Sequence, residues 1–381
     1  MKDLLQQFSG IETPFYWYDL SLLDRTLAAL KAANKQGYHV HYALKANHNP
    51  EIISRIKAAG LGIDCVSGNE VAHALKHGFD PSDVVLAGVG KTDKEITYAI
   101  NHDIFSFNVE SIEELKVINE IAASKGKKPN ISIRINPAID AGTHHKITTG
   151  SKENKFGISD EELFRSTDLI KSLEHIHFIG VHYHIGSQIM DLNRFRNLSV
   201  RINEIQTGLV EQGIELPHLN VGGGLGINYE DPDGQAIPDF EGYFQTFSEN
   251  LKLLPGQQLH FELGRSIVGQ CGSLITRVLY LKESGATKFL IVDAGMTDLM
   301  RPALYDAEHL AQNLSSESSK VLKYDLVGPV CESSDVFNKG IELPESKRGD
   351  LIAIRSCGAY GETMKNEYNL RSLAKPYYSR P

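Results

Sequence analysis

The sequence predicts a parallel (β/α)8 TIM-type barrel followed by a mainly β domain. Three observations carry that prediction. Eight β-prone apolar runs alternate with helically periodic segments through the first two-thirds of the 381 residues. Beyond Arg265 the rhythm changes to strand after strand. The C-terminal ends of the eight runs carry basic, acidic, histidine and glycine residues. A doubly wound open sheet is the competing layout. It expects GxGxxG after the first strand, whereas "GGGLG" falls on the seventh run and lacks that spacing.

In chain order, "PFYWYDL" is strand-like and precedes the barrel, so it should pair with the C-terminal sheet. The barrel runs are "YHVHYAL" (38–44), "LGIDCVS" (61–67), "DVVLAGV" (83–89), "IFSFNV" (104–109), "ISIRINP" (131–137), "HFIGVHYHIG" (177–186), "HLNVGGG" (218–224) and "LHFELGR" (259–265). Between them, "PEIISRIKAAG", "NEVAHALKHG", "SIEELKVINEIAASKG" and "DEELFRSTDLIKSL" repeat apolar residues at i, i+3 and i+4. Several open on proline or a capping Ser or Asp and close on glycine. The barrel is therefore expected over 26–267, with 1–25 and 268–381 forming the β domain. That domain rests on "SIVGQCGSLITRVLYLKESG", "KFLIVDAGM", "KVLKYDLVGPVCESSD" and "GDLIAIRSCGAYG". The polar stretch 138–158 is long for a βα loop and reads as a lid or binding loop.

Hydrophobic content of 41% and charged content of 23% describe a globular chain with a sizeable core. A net charge of −9 argues against nucleic acid or an anionic membrane as partner, so an anionic substrate would need local arginines. "MKDLLQQFSG" lacks the apolar core of a signal peptide, and no 18-residue apolar run occurs. The four cysteines (Cys65, Cys271, Cys331, Cys357) form no CxxC, which suits free thiols in the cytoplasm.

A barrel of this type places its site at the C-terminal strand ends. Lys45, Asp64, Arg134, His184, Ser187, Gly222, Gly223, Gly224, Glu262 and Arg265 fall there. Each has a plain structural reading: a solvated lysine, a tight glycine turn, His182 and His184 as a core pair or two metal ligands. Their convergence on one rim favours a site. Bare amides after the seventh strand suit a phosphate. Glu262 could keep a pyridine nitrogen protonated, His184 could lie on the ring face, and Lys45 could bond an aldehyde. Those are the parts that hold pyridoxal phosphate, and no metal is expected. Asp64 and Arg134 are second-tier candidates that orient neighbours; Cys65, Cys271 and Cys357 read as packed thiols.

The blocks "YALKAN", "HHKITTGSKENKFGI", "GVHYHIGSQ", "GGGLG", "ELGRSIV", "DAGMTDLMRPALY", "GPVCESSD" and "GAYG" occur in that order. With them the chain resembles, over almost its whole length, the alanine racemase-like (fold type III) pyridoxal-phosphate decarboxylases. The resemblance implies that Lys45 is the Schiff-base lysine, that His184 stacks on the ring and that Glu262 holds the pyridine nitrogen. Ser187 and Gly222 to Gly224 would serve the phosphate, with Gly264 and Arg265 also at the cofactor. Arg265, Arg301 and Tyr305 would bind a substrate carboxylate, Glu332 the distal ammonium, and Tyr360 both cofactor and substrate. Cys331 would be the proton donor, supplied with its "CES" segment by the partner subunit of a homodimer.

The implied reaction is decarboxylation of meso-2,6-diaminopimelate to L-lysine and CO2, with carboxynorspermidine, ornithine or arginine as alternative substrates. Substrates ending in a bare amine want acidic or neutral groups where "RPALY" offers arginine and tyrosine. A non-catalytic pyridoxal-phosphate carrier needs neither the β domain nor Cys331. A metal hydrolase built on His182 and His184 leaves Lys45 and the glycines unexplained. Leu263 stands where the family usually has proline, and Ser334 where glycine is common, which puts the local backbone at those two points in question.

Overall fold

Polar residues recur at alternate positions of the barrel strands, and the fold shows why. A computed structural model describes residues 2–137, 139 and 155–379. After β1 (Phe15–Tyr18) come β2 (His39–Ala43), β3 (Gly62–Cys65), β4 (Val84–Leu86), β5 (Ser106–Val109) and β6 (Asn130–Ile135). β7 (His177–Tyr183), β8 (His218–Asn220) and β9 (Gln258–Leu263) complete the barrel. Strands β2 to β9 pair in sequence order, all parallel, and β9 closes on β2 through His41↔Glu262 and Tyr42↔Leu263. The sheet is closed and not an open doubly wound one.

Strands of an all-parallel sheet usually read as continuous apolar runs. Here one set of positions is apolar and outward: Phe261 of β9 packs edge-on against Tyr243, Phe244 and Phe247 of helix Phe240–Asn250, with ring centroids 5.0–5.5 Å apart. The other set fills the lumen with polar groups. At its N-terminal end His41 Nδ1 lies 3.3 Å from the Asp83 carbonyl, His41 Nε2 lies 3.0 Å from His260 Nδ1, and His260 Nε2 lies 2.9 Å from His218 Nδ1. A carbonyl only accepts, so the protons sit on the three Nδ1 atoms and the chain of neutral imidazoles runs one way. The other end of the lumen holds Asp64 and Glu262.

Helix starts follow the sequence signals. Asn49, Ser67, Ser111, Ser159 and Asp239 cap helices, and Thr92 with Glu95 forms a reciprocal capping box. Gly126 closes Ile112–Lys125 in the left-handed conformation.

The chain divides into two compact units: Leu27–Gly226 with Asp239–Gly264, and Met1–Thr26 with Ile227–Pro238 and Arg265–Pro381. The second unit is built on β10 (Gly272–Ser284), β11 (Thr287–Val292), β12 (Ala311–Asn313), β13 (Val321–Val327), β14 (Val336–Pro344), β15 (Leu351–Ile354) and β16 (Lys375–Tyr378). Its sheet order is β12-β15-β10-β11-β13-β14. β1 joins it antiparallel to β10 and parallel to β16, as "PFYWYDL" suggested. Phe8, Phe15, Trp17, Ile275, Leu314, Leu351 and Ala353 form one apolar cluster of this unit.

Three expectations are corrected. Arg265–Val268, read as strand, is a helical turn that separates β9 from β10. The tails "CESSD" and "CGAYG" are turns, because their polar and glycine residues supply no apolar face. Gly222 to Gly224 and His184 lie just past their strands, in the loops. The proposed 138–158 lid lies mostly outside the described residues. No described helix is long and apolar enough to cross a membrane.

Candidate active site

Lys45 is delivered by a short local program. β2 ends at Ala43, and a 3-10 turn, Leu44–Ala46, buries Leu44 and Ala46 and leaves the lysine partly exposed at the strand end. Tyr42 Oη then donates to the Asn47 carbonyl at 2.9 Å, Asn47 Oδ1 accepts from Asn49 N at 2.9 Å, and Asn49 Oδ1 caps Pro50–Ala58 at Glu51 N. "YALKANHNP" is thus strand, turn, Asx link and helix start, and it fixes one lysine at a rim. Its Nζ lies 3.6 Å from Asp64 Oδ2; the side chains are 41% and 1% exposed. Gly264 lies against the same turn, where an added Cβ would approach Ala43 and Ala46 to about 3 Å.

Glu262 is the best-supported side chain in the lumen. Its Oε1 accepts from Asn108 Nδ2 and Asn220 Nδ2, both at 2.8 Å, and its Oε2 lies 3.0 Å from His182 Nε2. Burial pushes its pKa up, but His182, Lys45 and His184 outweigh burial and hold it well below the usual carboxylate range. Asp64 goes the other way. Burial and then the Glu262 charge push it well up, against the pull of Lys45. Two lumen carboxylates are so driven apart, a pattern typical of functional sites.

Close approach of neighbouring backbone explains the glycines. An added Cβ on Gly223 would lie 1.9 Å from the Glu262 carbonyl, and one on Gly222, whose φ is +70°, would lie 2.2 Å from the Tyr183 carbonyl. Gly222 N donates to Asn220 Oδ1 at 2.9 Å, and Gly223 N donates to His184 Nδ1 at 3.3 Å. Burial, with Arg134 and Lys45 adding, holds the His184 pKa well below its ordinary value. Ser187 follows in the same loop, half-buried. Arg134 pairs with Glu110 at 3.0 Å, and Glu110 also accepts from Gly157 N at 2.9 Å.

A second cluster belongs to the β unit. Arg265 and Arg301 are both buried. Arg265 lies over the Tyr360 ring at 4.9 Å from its centroid, and Tyr305 ends the short helix Arg301–Tyr305. Cys331 and Glu332 stand in an exposed loop. Cys331 N donates to Asn369 Oδ1 at 3.3 Å, and Glu332 Oε1 accepts from Tyr368 Oη at 2.7 Å. The buried Asp335 carboxylate ties that loop down by accepting from Val330 N and Met296 N at 2.7 and 2.6 Å. Leu263 lies in ordinary β9 ladder, and Ser334 is not among the residues with positive φ, so neither departure strains the backbone.

Sequence reading missed Asn108, Asn220, His182 as a Glu262 partner, Tyr229 and His309. Asn108 and Asn220 carried a weak signal, being polar residues inside apolar strands. Among the described residues no cluster of His, Cys, Asp and Glu could hold a metal ion.

The family model described as "Pyridoxal-dependent decarboxylase, pyridoxal binding domain" matches residues 21–269. The chain belongs to the pyridoxal-dependent decarboxylases of fold type III and, within them, to the diaminopimelate decarboxylase family. It is 53% identical to the diaminopimelate decarboxylase of Bacteroides thetaiotaomicron, over 98% of this chain and 97% of that one. It is similar to the crystal structure of diaminopimelate decarboxylase from Helicobacter pylori complexed with L-lysine: TM-score 0.93, 42% identity, 99% of this chain and 94% of that one. The diaminopimelate decarboxylase of M. jannaschii in co-complex with L-lysine matches at TM-score 0.90 and 34% identity, over 99% of this chain and 89% of that one.

Proposed function

We propose that the chain is a pyridoxal-phosphate-dependent carboxy-lyase that converts meso-2,6-diaminopimelate to L-lysine and CO2. The observation that carries this reading is Glu262, an ionised carboxylate fixed by Asn108, Asn220 and His182 in the barrel that carries the Lys45 amine. The donor set fits the cofactor. Lys45 offers an amine to an aldehyde. Glu262 Oε2, with one bond to His182 Nε2, keeps a lone pair for a protonated ring nitrogen. His184, held neutral, offers a flat face to the ring. When bound, the cofactor supplies an aldehyde that bonds amines and a ring that takes up the electron pair left by departing CO2.

The chain's own residues orient the reactants and handle protons. Lys45 Nζ would hold the aldehyde carbon, with Asp64 orienting it. Ser187 and the backbone of Gly222, Gly223 and Gly224 would hold the phosphate, with Gly264 and Arg265 also at the cofactor, and Tyr360 would serve cofactor and substrate. Arg265, Arg301 and Tyr305 would bind the distal carboxylate, because a planar guanidinium can engage both oxygens. Glu332 would bind the distal ammonium. The Cys331 thiol would deliver a proton to the carbon that has lost CO2. A distal carboxylate beside a distal ammonium is the far end of diaminopimelate, whereas ornithine and arginine lack the carboxylate.

Cys331 and Glu332 are exposed on a single chain, where water would compete for both tasks. The working unit is therefore a homodimer in which this loop enters the partner's site. Four free cysteines, three of them buried, support a cytoplasmic setting.

Purified protein supplied with pyridoxal phosphate should be yellow, and borohydride should bleach it and fix the cofactor's mass on Lys45. Lys45→Ala should take up no fixed mass. Lysine should form faster from the meso isomer than any product forms from carboxynorspermidine, ornithine or arginine assayed side by side. A faster turnover of one of those three, or an unmodified Lys45, would overturn the reading.

A further inference from the structure

Two guanidiniums of the β unit share one acceptor. Arg265 Nη1 donates to Tyr229 Oη at 2.5 Å, and Arg301 Nη1 donates to the same oxygen at 2.8 Å. Both guanidiniums also face the Tyr229 ring, at 5.8 and 5.1 Å from its centroid. A phenol oxygen has two lone pairs, so these two donors fill it. The like charges oppose one another: burial lowers the Arg301 pKa, Tyr229 counters, and Arg265 lowers it further. His309 holds Arg301 as well. Its Nε2 lies 3.0 Å from Arg301 Nη1 and its Nδ1 lies 2.8 Å from the Arg355 carbonyl. Guanidinium only donates and a carbonyl only accepts, so His309 is neutral with its proton on Nδ1. Burial, aided by Arg301, keeps it so, with a pKa of about 3. The Tyr229 ring meets the His309 ring edge-on at 5.0 Å.

We infer that Tyr229 and His309 are positioning residues that set the spacing and orientation of Arg265 and Arg301 for a carboxylate. The inference rests on the carboxylate role proposed above for those arginines. Two buried cations left to their mutual repulsion would splay apart, and bidentate recognition fails when the N–H pairs lose alignment. Tyr229 ties them to one atom, and His309 fixes the rotation of Arg301 by a bond that only its neutral form can accept. The same arrangement selects against substrates with an amine at that end, which would meet two oriented cations.

The test is steady-state kinetics with meso-diaminopimelate on the holoenzyme. Tyr229→Phe should raise KM about 10-fold while kcat stays within about 3-fold, the size expected for one lost charge-assisted bond. In an Arg301→Ala background, where only Arg265 is left for Tyr229 to hold, Tyr229→Phe should add clearly less than it does in the wild type. His309→Leu should raise KM similarly, and His309→Gln, whose side chain can accept and donate at once, should recover most of the loss. If Arg301→Ala raises KM but Tyr229→Phe does not, or Tyr229→Phe acts equally in both backgrounds, the inference is overturned and the carboxylate reading stands. Unchanged KM in Arg301→Ala with wild-type cofactor absorbance removes that reading and the inference together. Should Tyr229→Phe fail to fold, equal KM for the Leu and Gln variants at His309 overturns the inference by itself.

Discussion

Glu262 and Asp64 have the same chemistry and opposite fates. Three hydrogen-bond partners and the nearby Lys45 amine keep Glu262 ionised, whereas burial and the Glu262 charge drive Asp64 toward its neutral form. The role proposed for Glu262 needs its charge and not merely its shape. Glu262→Gln keeps the volume and most of the hydrogen bonds but cannot carry the charge. It should bind cofactor yet lower kcat by about 10²–10³-fold, the usual cost of losing one preorganised electrostatic group. Cofactor absorbance and kcat measured on one preparation check this; full turnover would remove Glu262 from the mechanism. At this scale the sequence was legible where a residue stands beside a motif, as with Lys45 in "YALKAN" and Glu262 in "ELGR". It did not show that Asn108, Asn220 and His182 converge on Glu262 from three other strands, although each stood out as polar inside an apolar run. It was silent on Tyr229 and His309, because nothing local marks either as an arginine's partner.

At the scale of elements, the turn after β8 is governed by how closely backbones pass. Gly223 lies so near the Glu262 carbonyl that any side chain must push β9 aside. Gly223→Ala should therefore act like core overpacking against rigid backbone, at or above about 3 kcal/mol. A lower thermal midpoint together with weaker cofactor retention is expected; a variant with wild-type values of both would show that the close approach yields easily. The alternation of β-prone runs with helically periodic segments made the barrel legible, even though most of its strands, β4 (Val84–Leu86) excepted, carry polar residues at alternate positions. Element ends were read too long, since "GGG", "HIG" and "GR" continue an apolar run in composition but leave the hydrogen-bond ladder. The turn at Arg265–Val268 was hidden because Ile267 and Val268 look like strand residues and are buried instead by a helical turn.

For the whole molecule, the N-terminal end of the barrel makes acid a threat. Burial holds the His260 pKa down at about 2, with His41, His39 and His218 adding and Glu262 opposing. Unfolded histidine titrates near about 6.5, so proton uptake favours the unfolded chain. The stabilisation is complete above about pH 6.5 and is lost as pH falls toward 2, at about 1.4 kcal/mol per pH unit for this group. The urea midpoint should fall between pH 7.5 and 5.5. His260→Leu should be less stable at pH 7.5 but lose less over the same interval; an equal loss would assign the acid sensitivity to other groups. No motif announced this histidine chain, since His41, His218 and His260 come from strands far apart in sequence. The strand character of "PFYWYDL", by contrast, was enough to place it with the C-terminal sheet.

That placement has a cost in time. Phe15 pairs with Lys375, so β1 waits for the much later β16 before its second edge is covered. The barrel can close before β16 is made, but this sheet stays unfinished until then, with an aromatic strand open to wrong partners meanwhile. Removing β16 would leave a permanently unsealed edge, and self-association through β1 would be its signature.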